Sequence, residues 1–176
     1  RELPTAELIQ QIEDGAIDIG LLSIPVAGNN LVMRELFREP IHLAVPDCHA
    51  LAGEEKVQLR RVSDERLLLL KEGHCLRDQA LEVCGMRPGR RLVNYGATSL
   101  TTLLQMVEHG MGLTLVPEIA LEAECRNRNL TVVPFGDPAP SRSITLFFSS
   151  RTADEADQAT LASIVRQAAR PKNPAV

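Results

Sequence analysis

The chain has 176 residues, 44% hydrophobic and 24% charged, enough for one domain or two small intimate ones around a real core. Its net charge of −4 excludes a grip on nucleic acid by this segment itself, because phosphate binding wants a basic face. Four cysteines (Cys48, Cys75, Cys84, Cys125) are too few and too irregular for a disulfide scaffold. No signal peptide is visible and no apolar run approaches about 18 residues, so a cytoplasmic protein without a membrane span is expected. There a disulfide is transient rather than structural.

Arg1-Glu2-Leu3-Pro4 opens the chain without a Met, directly before a helix signal, and reads as cut from something longer. Thr5 is expected to cap a helix with Leu8, Ile9 and Ile12 on its apolar side and Gly15 as its stop. Residues 17–22 read as a buried strand, 31–37 and 41–45 as two further strands, and 67–70 as a short core strand. Residues 91–95 are a strand candidate. A helix is expected from Ser99, with Leu100, Leu103, Leu104 and Val107 at helical spacing and Gly110 at its end. A strand over 113–116 stops at Pro117, which is expected to open a helix through Cys125. Strands over 130–133 and 143–148 follow, then an amphipathic helix over 154–169 with Leu161, Ile164 and Val165 inward. The alternation argues for an α/β fold with largely parallel sheets. Asp137-Pro138-Ala139-Pro140 is the best linker candidate.

The richest segment is Gly73-His74-Cys75-Leu76-Arg77-Asp78-Gln79-Ala80-Leu81-Glu82-Val83-Cys84. It sets a thiol beside a histidine, an arginine and an aspartate, with a second thiol nine residues on. Neither zinc-ligand nor C-x-x-C spacing is present, so the pair reads as reversible thiol chemistry. A cysteine reacts with peroxide as thiolate. Cys75 follows a glycine at the start of a helix candidate with Arg77 in its first turn, and helix-start amides and a cation both favour the thiolate. His74 is suited to hydrogen bonding or proton transfer. Against this, an isolated cysteine is more often a small buried core residue. Cys48, with His42 and His49 nearby, lacks the spacing of a metal site, so no metal and no cofactor are expected. Cys125, beside Arg126 and Arg128, is expected to be a bystander, and His109 to end a helix.

The stretch Gly73-His74-Cys75-Leu76-Arg77-Asp78-Gln79-Ala80 closely resembles the redox segment of the OxyR branch of LysR-type transcriptional regulators. Residues 93–99, and Glu108-His109-Gly110-Met111-Gly112-Leu113-Thr114-Leu115-Val116-Pro117, are similar to the effector-domain signature of the wider family. The resemblance spans essentially the whole chain. It implies two Rossmann-like subdomains similar to periplasmic binding proteins, residues 1–38 plus 142–176 and residues 39–141. The first would lack its N-terminal strand and helix.

The resemblance also implies roles. Cys75 would be the peroxidatic cysteine and Cys84 the resolving one. Thr5, His74 and Arg142 would line the peroxide pocket, with Arg77 and Asp78 supporting the loop. Read without it, Thr5 is a plain helix cap and Arg142 a solvated charge. If residues 75–84 form one helix, their Cα atoms stand roughly 13 Å apart, whereas a disulfide tolerates no more than about 7 Å. Oxidation would then require refolding, which Gly85 and Gly89 would ease. The implied partners are hydrogen peroxide, further copies of the chain (homodimer, and tetramer at full length), promoter DNA through an absent N-terminal domain, RNA polymerase, and glutaredoxin or thioredoxin as reductant. The competing function is a non-redox effector domain that binds a small metabolite between its subdomains. A thiol peroxidase finds no independent catalytic constellation, and no enzyme is expected.

Overall fold

In the computed structural model the described residues are 1, 3–23, 30–62, 64–84, 92–93, 95–150 and 154–169. The chain divides into two units, Arg1–Glu39 with Arg142–Val176, and Pro40–Ser141.

The first unit holds α1 (Thr5–Glu13), β1 (Ile19–Leu22), the start of β2 (Leu31–Pro46), most of β7 (Ser141–Ser149) and α5 (Glu155–Ala168). β7 lies between β1 and β2, and it pairs antiparallel with β1 from Ile19↔Phe148 to Leu22↔Thr145. Side chains alternate across a strand. Phe147 therefore packs with Leu22 and Ile12 of α1, while Ile144, Leu146 and Phe148 pack with Leu36 and with Ala162 of α5. Gly15, at positive φ, lets the chain leave α1, and its N–H donates to the Ile12 carbonyl.

The second unit continues β2, which pairs antiparallel with β5 (Thr114–Pro117) and with β6 (Leu130–Val133). It also holds α2 (Leu59–Val62), β3 (Leu67–Leu68), α3 (Cys75–Cys84), β4 (Leu92–Val93) and α4 (Leu100–Glu108). The four leucines after Arg66 split by the same alternation. Leu67 and Leu69 join a cluster with Val57, Val62, Ala80 and Cys84, whereas Leu68 and Leu70 join one with Leu76, Leu103, Leu104 and Val107. α3 thus contributes to both clusters. Ser99 caps α4 by accepting from the Thr102 N–H, and at the other end His109 Nδ1 pairs with the Gln105 carbonyl at 2.7 Å.

The α/β class stands, but several local expectations change. β3 and β4 run parallel, with Leu67↔Leu92 and Leu68↔Val93 in register, and isolated parallel bridges lie at Val57↔Phe135 and Leu67↔Leu113. The long strands β2 and β7 run antiparallel to β5 and β6, and to β1, respectively. The two expected strands around Pro40 are one, β2, which runs through the proline without a break. Pro4, not Thr5, is the N-cap of α1; its carbonyl accepts from Leu8 N–H, and no side chain caps the helix. After Pro117 the chain forms a short 3-10 turn, Glu118–Ala120, and a π turn, Leu121–Cys125, in place of an α-helix. Ile164 is 56% exposed; Gln158 and Ala162 take the buried face of α5 instead. Gly85, Gly89, Arg91 and Asn94 lie outside the described residues.

Candidate functional site

α3 forms because its apolar positions recur at helical spacing. Leu76, Gln79, Ala80 and Cys84 are buried along one side, while Asp78 and Glu82 face solvent. Gly73, at φ 95, turns the chain into the helix, a conformation that side-chain-bearing residues rarely adopt. The His74 carbonyl accepts from Arg77 N–H at 3.0 Å, so His74 and Cys75 stand at the mouth of the first turn, both half-buried.

All four cysteines are unbridged thiols. Cys75 and Cys84 are the first and last residues of α3, so about 13 Å and about two and a half turns separate them. They consequently project from opposite sides of the helix. Cys84 is 6% exposed and packed among Leu67, Leu69, Val57 and Val62. One end of the segment is accessible to a small reagent; the other belongs to the core. A cavity of about 290 Å³ runs along α3, lined by Gln79, Glu82, Val83, Ile41, Leu59 and Pro138, which leaves packing on that side incomplete.

Arg77 is spent on the preceding loop. Its Nη1 donates to the Leu70 carbonyl at 3.3 Å and its Nη2 to Glu72 at 3.4 Å, with only 16% of the side chain exposed. This clip spans the Gly73 turn and braces the loop on which His74 and Cys75 sit. Asp78 is exposed on the first turn of α3.

Thr5 and Arg142 belong to the first unit. Thr5 is half-buried at the first position of α1. Arg142 is not a solvated charge. At the start of β7, its Nε and Nη2 both donate to Glu39 Oε1, at 2.8 and 2.7 Å, and its Nη1 lies 3.5 Å from the Ser23 hydroxyl. Glu39 went unread in the sequence. In a strand that also carries Arg34, Glu35, Arg38 and His42, one more acid gives no local sign that it is the buried one.

The other candidates separate. His42 pairs with Glu118, while His49 Nδ1 accepts from Leu51 N–H and its Nε2 lies 3.6 Å from Glu65. Cys48 is exposed. Among the described residues, no group of three or more His, Cys, Asp or Glu is placed to hold a metal ion. Burial pushes the Cys125 thiol up, with Arg128 opposing and Glu124 adding to the rise, so it is a poor nucleophile. Near it, the Asn129 backbone N–H donates to Glu108 and holds that carboxyl below the usual range. No helix among the described residues is long and apolar enough to cross a membrane.

Comparison with known proteins bears on this site. Residues 1–170 match the family described as the LysR substrate binding domain. A Mycobacterium avium protein named "Probable hydrogen peroxide-inducible genes activator" is 37% identical over 164 residues, 92% of this chain and 52% of that protein. The chain thus spans about half the length of the curated relatives it matches. The reduced form of the OxyR regulatory domain from Pseudomonas aeruginosa superposes with a TM-score of 0.82 at 27% identity, covering 93% of this chain and 79% of that one. A hydrogen-peroxide-bound cysteine mutant of OxyR from Corynebacterium glutamicum gives a TM-score of 0.81 at 30% identity, covering 96% of this chain and 53% of that one.

Proposed function

This chain belongs to the LysR substrate-binding domain family, and from that premise we propose that it is the hydrogen-peroxide-sensing regulatory domain of a LysR-type transcriptional regulator. The observation that carries the reading is the pair of thiols at the two ends of α3, one half-buried and one in the core. The peroxide-inducible and peroxide-bound relatives support it. The family is one of regulators, and the thiols act here as a switch rather than in turnover.

The Cys75 thiolate attacks one oxygen of hydrogen peroxide. An S–O bond forms as the O–O bond breaks, sulfur gives up two electrons, and the departing hydroxide takes a proton and leaves as water. Cys84 then attacks the sulfenic sulfur; an S–S bond forms and the hydroxyl leaves as a second water with the thiol's proton. The second step cannot precede refolding, because an intact α3 holds the thiols too far apart. The covalent bond therefore traps α3 in another arrangement, and that arrangement is the signal. By resemblance, His74, Thr5 and Arg142 serve the peroxide step, while Arg77 and Asp78 hold the loop. The same resemblance assigns to the full-length protein dimer and tetramer assembly, promoter DNA, RNA polymerase, and resetting by glutaredoxin or thioredoxin.

The test is to expose the reduced full-length protein to substoichiometric hydrogen peroxide, block free thiols, and map cysteine peptides without reduction. A Cys75–Cys84 crosslink that forms quickly and reverses with dithiothreitol is expected. Cys84→Ser should stop at the Cys75 sulfenic acid. Equal, slow oxidation of all four thiols would refute the reading and leave a metabolite-binding effector domain in its place.

A further inference from the structure

Cys75 and Cys84 point in opposite directions along α3, because nine steps of about 100° turn the helix by about 180° beyond two full turns. Gln79, Glu82 and Val83 stand within about 80° of the Cys75 direction, and these three line the cavity of about 290 Å³. The incomplete packing therefore lies on the flank that Cys84 must cross to in order to reach Cys75. Elsewhere the helix is filled in. Ala80 and Cys84 pack with Val57, Val62, Leu67 and Leu69, and Leu76 packs with Leu103, Leu104 and Val107.

The cavity belongs to the second unit alone, every residue that lines it falling between Pro40 and Ser141. Its far wall is pinned. Ile41 lies in β2, and its N–H donates to the carbonyl of Pro140, which lines the cavity with Pro138, at 2.9 Å. Just before them, the Gly136 N–H donates to the Val57 carbonyl at 3.0 Å. A wall held by prolines and backbone bonds does not collapse onto the helix, so the space persists. Leu59, half-buried at the start of the four-residue α2, lines it from another side. A helix flank without close neighbours forgoes dispersion contacts there, and local opening on that flank costs correspondingly less.

We propose that this cavity is the space through which α3 opens, and that Leu59 and Val83 set the rate of the second oxidation step by leaving it unfilled. The proposal rests on the reading that Cys84 resolves the Cys75 sulfenic acid; the S–S bond formed and the water lost are those given above. Leu59 and Val83 take no part in the bond changes. They govern the movement that brings the two sulfurs together.

Three rates are measured on the full-length protein. These are Cys75 sulfenylation by hydrogen peroxide, trapped with dimedone; Cys75–Cys84 crosslinking without dimedone; and iodoacetamide labelling of Cys84 in the reduced protein, which reads the opening without peroxide. Leu59→Phe fills the cavity from outside α3 and leaves the helix sequence intact. It should slow crosslinking and Cys84 labelling by about two- to thirtyfold, with sulfenylation at the parent rate. Leu59→Ala enlarges the cavity and should speed both by a similar factor. Val83→Ile adds one methylene and keeps the β-branch. It should slow both by about two- to fivefold, and it decides the matter if Leu59→Phe is overpacked and does not fold. Because the opening is local, Cys84 labelling should depend on urea less steeply than global unfolding does. Labelling that follows global unfolding in every variant overturns the proposal, since the cavity then acts only through overall stability. So do crosslinking and labelling at parent rates in folded Leu59→Phe and Val83→Ile. If labelling shifts as expected but peroxide yields no Cys75–Cys84 bond, the resolving role of Cys84 falls, and the rate control proposed for that step falls with it.

Discussion

At its first turn α3 presents Cys75 half-buried, behind the Gly73 turn and the Arg77 clip, on a loop with few apolar anchors. At its last turn the same helix buries Cys84 among Leu67, Leu69, Val57 and Val62. Ten residues thus carry two thiols of one chemical type in two solvent regimes. The contrast teaches that, on the proposed reading, accessibility more than intrinsic reactivity would assign the order of events: half-buried Cys75 would meet the oxidant first, and buried Cys84 would follow when the helix opens.

The sharpest way to break this comparison is thiol labelling of the reduced protein. Iodoacetamide should modify Cys75 at least about a hundredfold faster than Cys84, because Cys84 reacts only through local opening. Equal rates would remove the distinction between the two ends. Next in size is the anchoring of the helix: Leu76→Ala removes a buried side chain of the second core cluster and should cost about 2–5 kcal/mol in chemical denaturation. Glu82→Ala, on the exposed side, should stay within about 0.5 kcal/mol. A smaller effect is expected at the loop. Arg77→Ala loses the bond to the Leu70 carbonyl and should cost about 1 kcal/mol while accelerating Cys75–Cys84 crosslinking, followed by non-reducing electrophoresis. Slower crosslinking after an unchanged first oxidation would show that the clip aids the switch instead of restraining it. Glu72→Gln should do less, its partner contact being largely solvated.

The smallest effect is a control outside α3, at the last residue of α4. Glu108 has a lowered pKa in the folded chain, so its contribution is present above the unfolded value of 4.5 and is lost as pH falls through the folded value. Glu108→Gln should flatten that acid limb of the melting-temperature profile and leave the labelling ratio of the two cysteines unchanged.

Much of the architecture was readable one element at a time. Ser99 at the start of α4 and Gly15 after α1 are local chemistry, a hydroxyl that accepts a helix-start N–H and a residue free to take positive φ. The Cys75–Cys84 segment was legible for the same reason: its helical spacing and its residue types lie together in the chain. Some errors were local, the Thr5 cap and the helix expected after Pro117; the others were tertiary. Ile164 falls on the apolar side of α5 by periodicity, yet that helix turns Ala162 and Gln158 inward against the sheet. Pro40 reads as a break, yet β2 continues through it from Leu31 to Pro46. Without the family resemblance Arg142 reads as surface charge, because its partner, Glu39, is 103 residues away in the chain.

What the sequence determined by itself is what depends on neighbours along the chain: most of the elements, the Ser99 cap and the Gly15 turn, and the placing of two cysteines two and a half helical turns apart. Only the tertiary structure decided which of them lies in the core and which carboxylate matches Arg142. Burial and ion pairing depend on contacts between distant segments, and a pattern read within one segment has no access to them.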